Sequence, residues 1–371
     1  MKRLILTIAL AAITTTFVSN ASARGSRHHH SGPGMAFTMT NATDDNEILV
    51  YPRNPNGTLG SPTAVSTGGV GNGGGLGNQG GVILSKNRNW LLAVNAGSDT
   101  ISVFEVTYNG IELTDTESSQ GSMPVSLSID DDLVYVLNAG DDSIAGFILG
   151  DDGDLLPIDY SKRPLSGSGV GAAQIGFSPN GRELVVTEKA TNLISVFSVC
   201  HNGYADPAPI STESAHPTPF GFTFRRDGLL LVTEAAGGAQ DAGAVSSYRI
   251  KRDDELYEVD PAVAATESAT CWIALHPNQR FAYTTNTASN SISGYSVRGY
   301  GKLALLDEGG ESATTGAGPI DLAFDRSGNF LYSLNAGDDN ISVFSVGPRG
   351  ELELIEEIDG LPDGANGLAV F

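Results

Sequence analysis

Cysteine is nearly absent from this chain. Only Cys200 and Cys271 occur in 371 residues, which rules out a disulfide-rich scaffold and leaves apolar burial to hold the fold. Basic residues are scarce too. Lys and Arg number 21 against 43 Asp and Glu, a net charge of −22, and no run of them makes the clustered positive face that nucleic acid or an anionic lipid surface requires. Helical periodicity is missing, which argues against a helical solenoid. The sequence holds neither a G-x-S-x-G elbow nor an H-E-x-x-H helix, so serine-hydrolase and zinc-protease chemistry have no support. Past the N-terminus, no apolar run approaches membrane-spanning length.

What is present begins with a leader. "MKR", the apolar stretch "LILTIALAAITTTFV" and the small residues Ala21-Ser22-Ala23 have the form of a secretory signal peptide over 1–23, removed on export to a periplasm or to the medium. Cleavage takes Lys2 and Arg3 with it and leaves the mature protein more acidic still, which suits solubility outside the cell and no membrane contact. Residues 24–35, with "RHHHSGPG", read as a disordered tail. The folded domain is expected over 36–371.

That domain is written as a repeat. "YVLNAGDDSIAGF" (Tyr135 to Phe147) returns as "YSLNAGDDNISVF" (Tyr332 to Phe344), with further copies between and before them. The polar residue closing each apolar run is Asn41, Asn95, Asn138, Glu188, Glu234, Asn286 and Asn335, at intervals of 43 to 54 residues. Short β-branched and aromatic runs at a period near fifty, separated by turn residues, predict an all-β, seven-bladed β-propeller of four-stranded antiparallel blades. Six innermost strands begin near Val82, Leu127, Ile175, Phe222, Ile273 and Leu322. The seventh is "LAVF", Leu368 to Phe371, so the C-terminal strand completes the N-terminal blade and closes the ring.

"SLNAGDDNISVF" together with "GFSPNGRELVVTEK" resembles the lactonase-type seven-bladed propellers, whose relatives include the propeller 6-phosphogluconolactonases and the fungal carboxymuconate cyclases. The resemblance spans nearly all of Phe37 to Phe371 and rests on blade motifs. It implies a lactonase or cyclase acting on a small, often acidic, ring ester, while export and the acidic charge disfavour an anionic substrate unless Lys189 and Arg163 make a local exception.

Turn chemistry accounts for most repeated polar positions. Asp45, Asp99, Asp142, Asn192, Asn290 and Asp339 follow the run-ending residue by four, where an Asx side chain serves a tight turn; this reading is preferred to calcium binding. The glycine-rich "GGVGNGGGLG" from Gly68 lacks the strand-and-helix context of a phosphate cradle and reads as a pliable loop over the channel mouth.

The loops joining second to third strands, and those entering the innermost strands, share one rim; this is the expected site. Two blades replace the run-ending Asn by Glu188 and Glu234, which would aim two carboxylates at one sector of that mouth, one to act as acid and one as base in lactone opening. His216 is the one histidine expected there, and is the third catalytic candidate. Amide donors for an oxyanion, or substrate contacts, are expected from Gln79, Asn95, Gln174, Asn286 and Asn335, with Lys189, Cys271 and Trp272 on the same rim. No metal ligand set is assigned, although a weakly held divalent cation such as calcium could sit among the ring of Asn and Glu side chains. The expectation is a monomeric hydrolase of a small lactone; the alternative is a non-catalytic platform that binds a protein or glycan on its rim.

Overall fold

The computed structural model describes residues 34–371; the leader and the tail up to residue 33 lie outside the described residues. The tail reading extends two residues too far. Gly34 and Met35 already belong to the first strand, Gly34–Met39, paired with Arg53 and Pro52, and Met35 is buried.

Seven antiparallel sheets follow one another, five with four strands and two with a short fifth segment. Blade one is built from both chain ends. Its strands Gly34–Met39, Glu47–Arg53 and Thr63–Ser66 pair with Asn366–Val370, in the register Ala36↔Val370 and Phe37↔Ala369. The innermost strands of blades two to seven are Val82–Leu84, Pro124–Asp130, Ala172–Phe177, Pro219–Phe224, Thr270–Leu275 and Pro319–Phe324. Blade seven completes the pattern with Phe330–Asn335, Asn340–Val346 and Leu352–Asp359. Each second strand is buried almost throughout, because it packs between neighbouring blades on both faces.

Tyrosines stitch blade to blade. Tyr135 donates to the Gly203 carbonyl at 2.7 Å, Tyr283 to Gly350 at 2.9 Å and Tyr332 to Gly57 at 2.7 Å, in each case reaching an outer turn of the following blade. The last of these closes the ring from blade seven to blade one. Gly57 has φ +90°, and a Cβ there would enter the Phe330 ring, so the closing contact needs glycine.

The Asx positions are turn residues, as expected. Asp99, Asp142, Asn192, Asn290 and Asp339 all adopt φ between 48° and 58°. Four of the side chains also reach into the loop ahead of the next inner strand, accepting from the amides of Met123, Gly169, Thr218 and Gly318. Asp45 accepts from Ser66 Oγ instead.

Candidate functional site: the axial channel

The run-ending residues are pegs of their own blades. Asn95 Nδ2 donates to Ser102 Oγ, Asn286 Nδ2 to Ser293 Oγ and Asn335 Nδ2 to Ser342 Oγ, each at 2.8 Å, and all three asparagines are fully buried. Glu188 and Glu234 occupy the same position. Glu188 accepts from Ser195 Oγ at 2.7 Å, from Thr191 Oγ1 at 3.0 Å and from Ser166 Oγ. Glu234 accepts from Ser246 Oγ at 2.6 Å, Ser214 Oγ at 2.7 Å, Tyr248 OH at 2.9 Å and the His216 amide at 3.1 Å. Both are fully buried, and burial raises the Glu234 carboxyl above its usual range against those hydrogen bonds. The expectation that these carboxylates point into the channel mouth is therefore corrected: serine hydroxyls inside the blades consume them. Asn41 departs differently. It adopts φ 52° and holds the glycine-rich loop through Asn72 Oδ1 and the Gly74 carbonyl.

His216 is half-buried, with Nε2 2.9 Å from the Ala242 carbonyl in its own blade. Arg163 is spent on the carbonyls of Ala205 and Tyr160. Neither borders the axial cavity.

The glycine-rich loop dives into the channel rather than covering it. Gln79 crosses the axis to blade six, where its Nε2 donates to the Ile273 carbonyl at 2.9 Å and its Oε1 accepts from the Ile273 amide at 3.3 Å. Its own amide donates to Ala173 at 3.2 Å, and its carbonyl accepts from Ser126 Oγ at 2.6 Å. Trp272 Nε1 donates to the Asn78 carbonyl at 2.6 Å, the Asn78 side chain donates to the Val125 carbonyl, and Lys189 Nζ donates to the Gly77 carbonyl. Gly221 makes room: a Cβ there would strike Gln79 Oε1. The structure thus gathers four of the expected residues, Gln79, Lys189, Cys271 and Trp272, around one plug. The Phe220 ring packs against Trp272 with centroids 4.7 Å apart and the planes tilted by 52°, and carries the Lys189 ammonium at 4.8 Å over its face. Burial lowers the Lys189 ammonium and pushes the Cys271 thiol up to about 12, which removes it as a nucleophile at neutral pH.

Beneath the plug lies a cavity of about 410 Å³. It runs from Gln79, Gln174 and Asp321 down to Leu84, Ile129, Phe177 and Phe224, at or one residue from the strand ends that lead into the turns of the opposite rim. The cavity lies away from the rim that the sequence favoured, because the inserted loop occupies that end.

Asp321 is the residue that sequence reasoning missed. Ser126, Gln174 and Asp321 each pair with the residue just before their blade's peg, next to a break in the strand register, so they stand at one level of the channel. In blade one, Asn366 pairs with Met39, two residues before the peg Asn41, beside a similar break. Asp321 is buried; it accepts from the Leu322 amide at 2.8 Å and the Leu368 amide at 3.0 Å. With no cation beside it, burial pushes its carboxyl up to about 8. Gln174 reaches the next blade, Nε2 donating to the Phe222 carbonyl at 3.0 Å. The side-chain oxygens of Asn78 and Asn366, both buried, have no partner. Among the described residues, no group of three or more His, Cys, Asp or Glu could hold a metal ion.

A second concavity of about 390 Å³ flanks the cavity at Phe224 and is lined by Asn180, Glu183, Arg226, Asp227 and Arg249. There Arg249 and Arg225 both bind the Asp227 carboxylate.

Against known proteins, the family described as "Lactonase, 7-bladed beta-propeller" matches residues 8–161 and 255–363. This chain belongs to that lactonase family. A curated family relative, the 6-phosphogluconolactonase of Serratia proteamaculans (strain 568), is 25% identical over 158 residues, 39% of this chain and 44% of that protein. The match thus spans less than half of the curated relative. Among solved structures, the periplasmic gluconolactonase of Pseudomonas aeruginosa is similar over 91% of this chain and 98% of its own, with TM-score 0.72 and 17% identity. A protein from Lactobacillus plantarum covers 91% and 99%, with TM-score 0.73 and 17% identity. At these identities the likeness to solved structures is one of fold.

Proposed function

We propose that the protein is an exported, monomeric lactone hydrolase whose reaction takes place in the axial cavity, with Asp321 as its acid–base residue. The observation that carries this reading is a buried carboxyl, free of any cation, on the wall of a ligand-sized cavity in a lactonase-family propeller. The ionised Asp321 takes a proton from a water molecule as that water adds to the lactone carbonyl. The resulting acid then gives the proton to the ring oxygen as the acyl–oxygen bond breaks, leaving a hydroxy acid. The Gln174 amide, level with Asp321, donates one proton to the Phe222 carbonyl and has a second for the developing oxyanion. Glu188, Glu234 and the peg asparagines keep the blades in register and do not enter the chemistry.

The leader sequence supports export, and the similar periplasmic gluconolactonase of Pseudomonas aeruginosa is consistent with it. No step needs a metal, so hydrolysis is expected to persist in chelator; a calcium-dependent rate would support the cation alternative. The reading is tested by hydrolysis of a lactone panel with mature protein and with Asp321→Asn. Turnover lost in Asp321→Asn and kept in Glu188→Gln and Glu234→Gln supports it. Ligand binding without turnover in any variant would favour the non-catalytic propeller.

A further inference from the structure

We propose that the groove between blades four and five is a second binding site, which takes the hydroxy acid released by lactone hydrolysis, with the acid's carboxylate on Arg226 and Arg249; this rests on the hydrolase reading above. The groove has a volume of about 390 Å³, enough for a small hydroxy acid. Phe224 walls both it and the axial cavity, so a product that leaves away from the plug passes its edge.

The free hydrogen-bonding groups of the groove are those a hydroxy-carboxylate requires. Arg226 is exposed and its amide donates to Gln279 Oε1 at 2.7 Å, while among the described residues nothing pairs with its guanidinium. Arg249 donates to the Asp227 carbonyl at 2.9 Å and to the Asp227 carboxylate at 2.8 Å through its two terminal nitrogens, and keeps its Nε proton for a ligand. Asp227 is shared with Arg225, so three guanidinium groups outweigh the carboxylates of Asp227 and Glu183. On the blade-four side, Asn180 Oδ1 accepts from Ser178 Oγ and from the Arg182 amide, which leaves its NH2 group as a donor. Glu183 Oε2 accepts from Ser178 Oγ at 2.5 Å, which leaves Oε1 to accept from a ligand hydroxyl. Pro179, Phe224 and Ile250 offer apolar contact to the carbon chain.

The charge of the molecule favours the same route. The plugged rim carries Asp99, Asp142, Asp241 and Asp339, and among the described residues Lys189 is the only Lys or Arg in its loops. The turns joining first to second strands in blades two to seven, around the other end of the cavity, carry seven Lys and Arg against four Asp. Ring opening leaves a carboxylic acid that ionises in neutral water. It does so beside Asp321, which is ionised again once the ring oxygen has its proton. The two like charges repel, and the cationic turns draw the product outward.

The test is calorimetric titration of mature protein with gluconate, for wild type, Arg226→Ala, Arg226→Lys and Asp321→Asn. Binding that weakens at least tenfold in Arg226→Ala, recovers in part in Arg226→Lys and persists in Asp321→Asn supports the inference. No gluconate binding by wild type overturns it. So does a loss in Asp321→Asn with Arg226→Ala unaffected, which would place the acid in the axial cavity. Glucitol has the hydroxyls without the carboxylate and should bind at least tenfold more weakly than gluconate; equal binding would contradict the role of the arginines. Acetate and inorganic phosphate report a site that takes any anion, and either one bound as tightly as gluconate overturns the hydroxy-acid assignment. If no lactone is hydrolysed, the hydrolase reading falls, and the titration, which needs no turnover, decides by itself whether the groove holds the acid.

Discussion

Gln79 and Ile273 are 194 residues apart and belong to blades on opposite sides of the axis, yet the Gln79 side chain makes a paired hydrogen bond with the Ile273 backbone, 2.9 and 3.3 Å long. This contact turns a central hole into a closed-ended cavity. Truncating it leaves the Ile273 amide and carbonyl without partners, so Gln79→Ala should cost about 1–3 kcal/mol in urea-induced unfolding, with the m-value unchanged. An effect below a few tenths of that would mean that the plug is not fastened at this point.

The pegs give a prediction in which stability and activity separate. Removing Glu234 leaves two serine hydroxyls, a tyrosine hydroxyl and an amide without their acceptor. Glu234→Ala should therefore destabilise by roughly 2–4 kcal/mol. Glu234→Gln and Glu188→Gln place the amide that three other blades use with a buried serine, and both should fold with kcat/KM on lactone unchanged within twofold. A hundredfold loss in either Gln variant, with normal thermal unfolding, would return the chemistry to the blade pegs.

Thiol chemistry should distinguish the two cysteines. Cys200 is exposed and Cys271 is buried, its thiol pushed up to about 12 by desolvation. Titration of the native protein at pH 8 should label one thiol per chain rapidly, and two after unfolding in guanidinium. Rapid native labelling of Cys271, read by peptide mass, would show that the plug opens.

The ring of blades was legible because its physics repeats. Seven packed sheets need the same buried strand, the same peg and the same tight turn in each copy, so "NAGDDNISVF" and its variants mark every blade. The exceptions were read wrongly for the same reason. Glu188 and Glu234 stood out as substitutions in a series of asparagines, although the serine seven residues after Glu188, in the "ISVF" of its own blade, was already the partner waiting for it. Asp321 was overlooked inside "IDLAF". Only alignment of inner strands by register, setting it level with Ser126 and Gln174, exposes a carboxyl where the wall should be neutral. The insertion of "LGNQGG" into the channel had no sequence signal beyond glycine content, since its partners lie in blades three, four and six.

Asp321 also sets a pH dependence of stability. Its folded pKa, about 8, lies above its unfolded value, so the native chain keeps a proton that the unfolded chain releases. The stability linked to that proton is fully present below the unfolded pKa and is lost as pH rises through about 8. Between pH 5 and 8 the unfolding free energy of wild type should therefore fall more steeply than that of Asp321→Asn, by up to about 1.4 kcal/mol per pH unit. Parallel curves for the two proteins would show that the carboxyl is ionised across this range.

The most direct measurement is the pH profile of kcat/KM for lactone hydrolysis by wild type and Asp321→Asn. The account requires the wild-type rate to climb about tenfold per pH unit below an inflection near pH 8 and then level off, as the carboxyl becomes a base. In Asp321→Asn the rate should be at least a hundredfold lower at the plateau, with no inflection there. An Asp321→Asn protein that hydrolyses lactone at the wild-type rate with the same profile would contradict the assignment of the axial cavity as the active site.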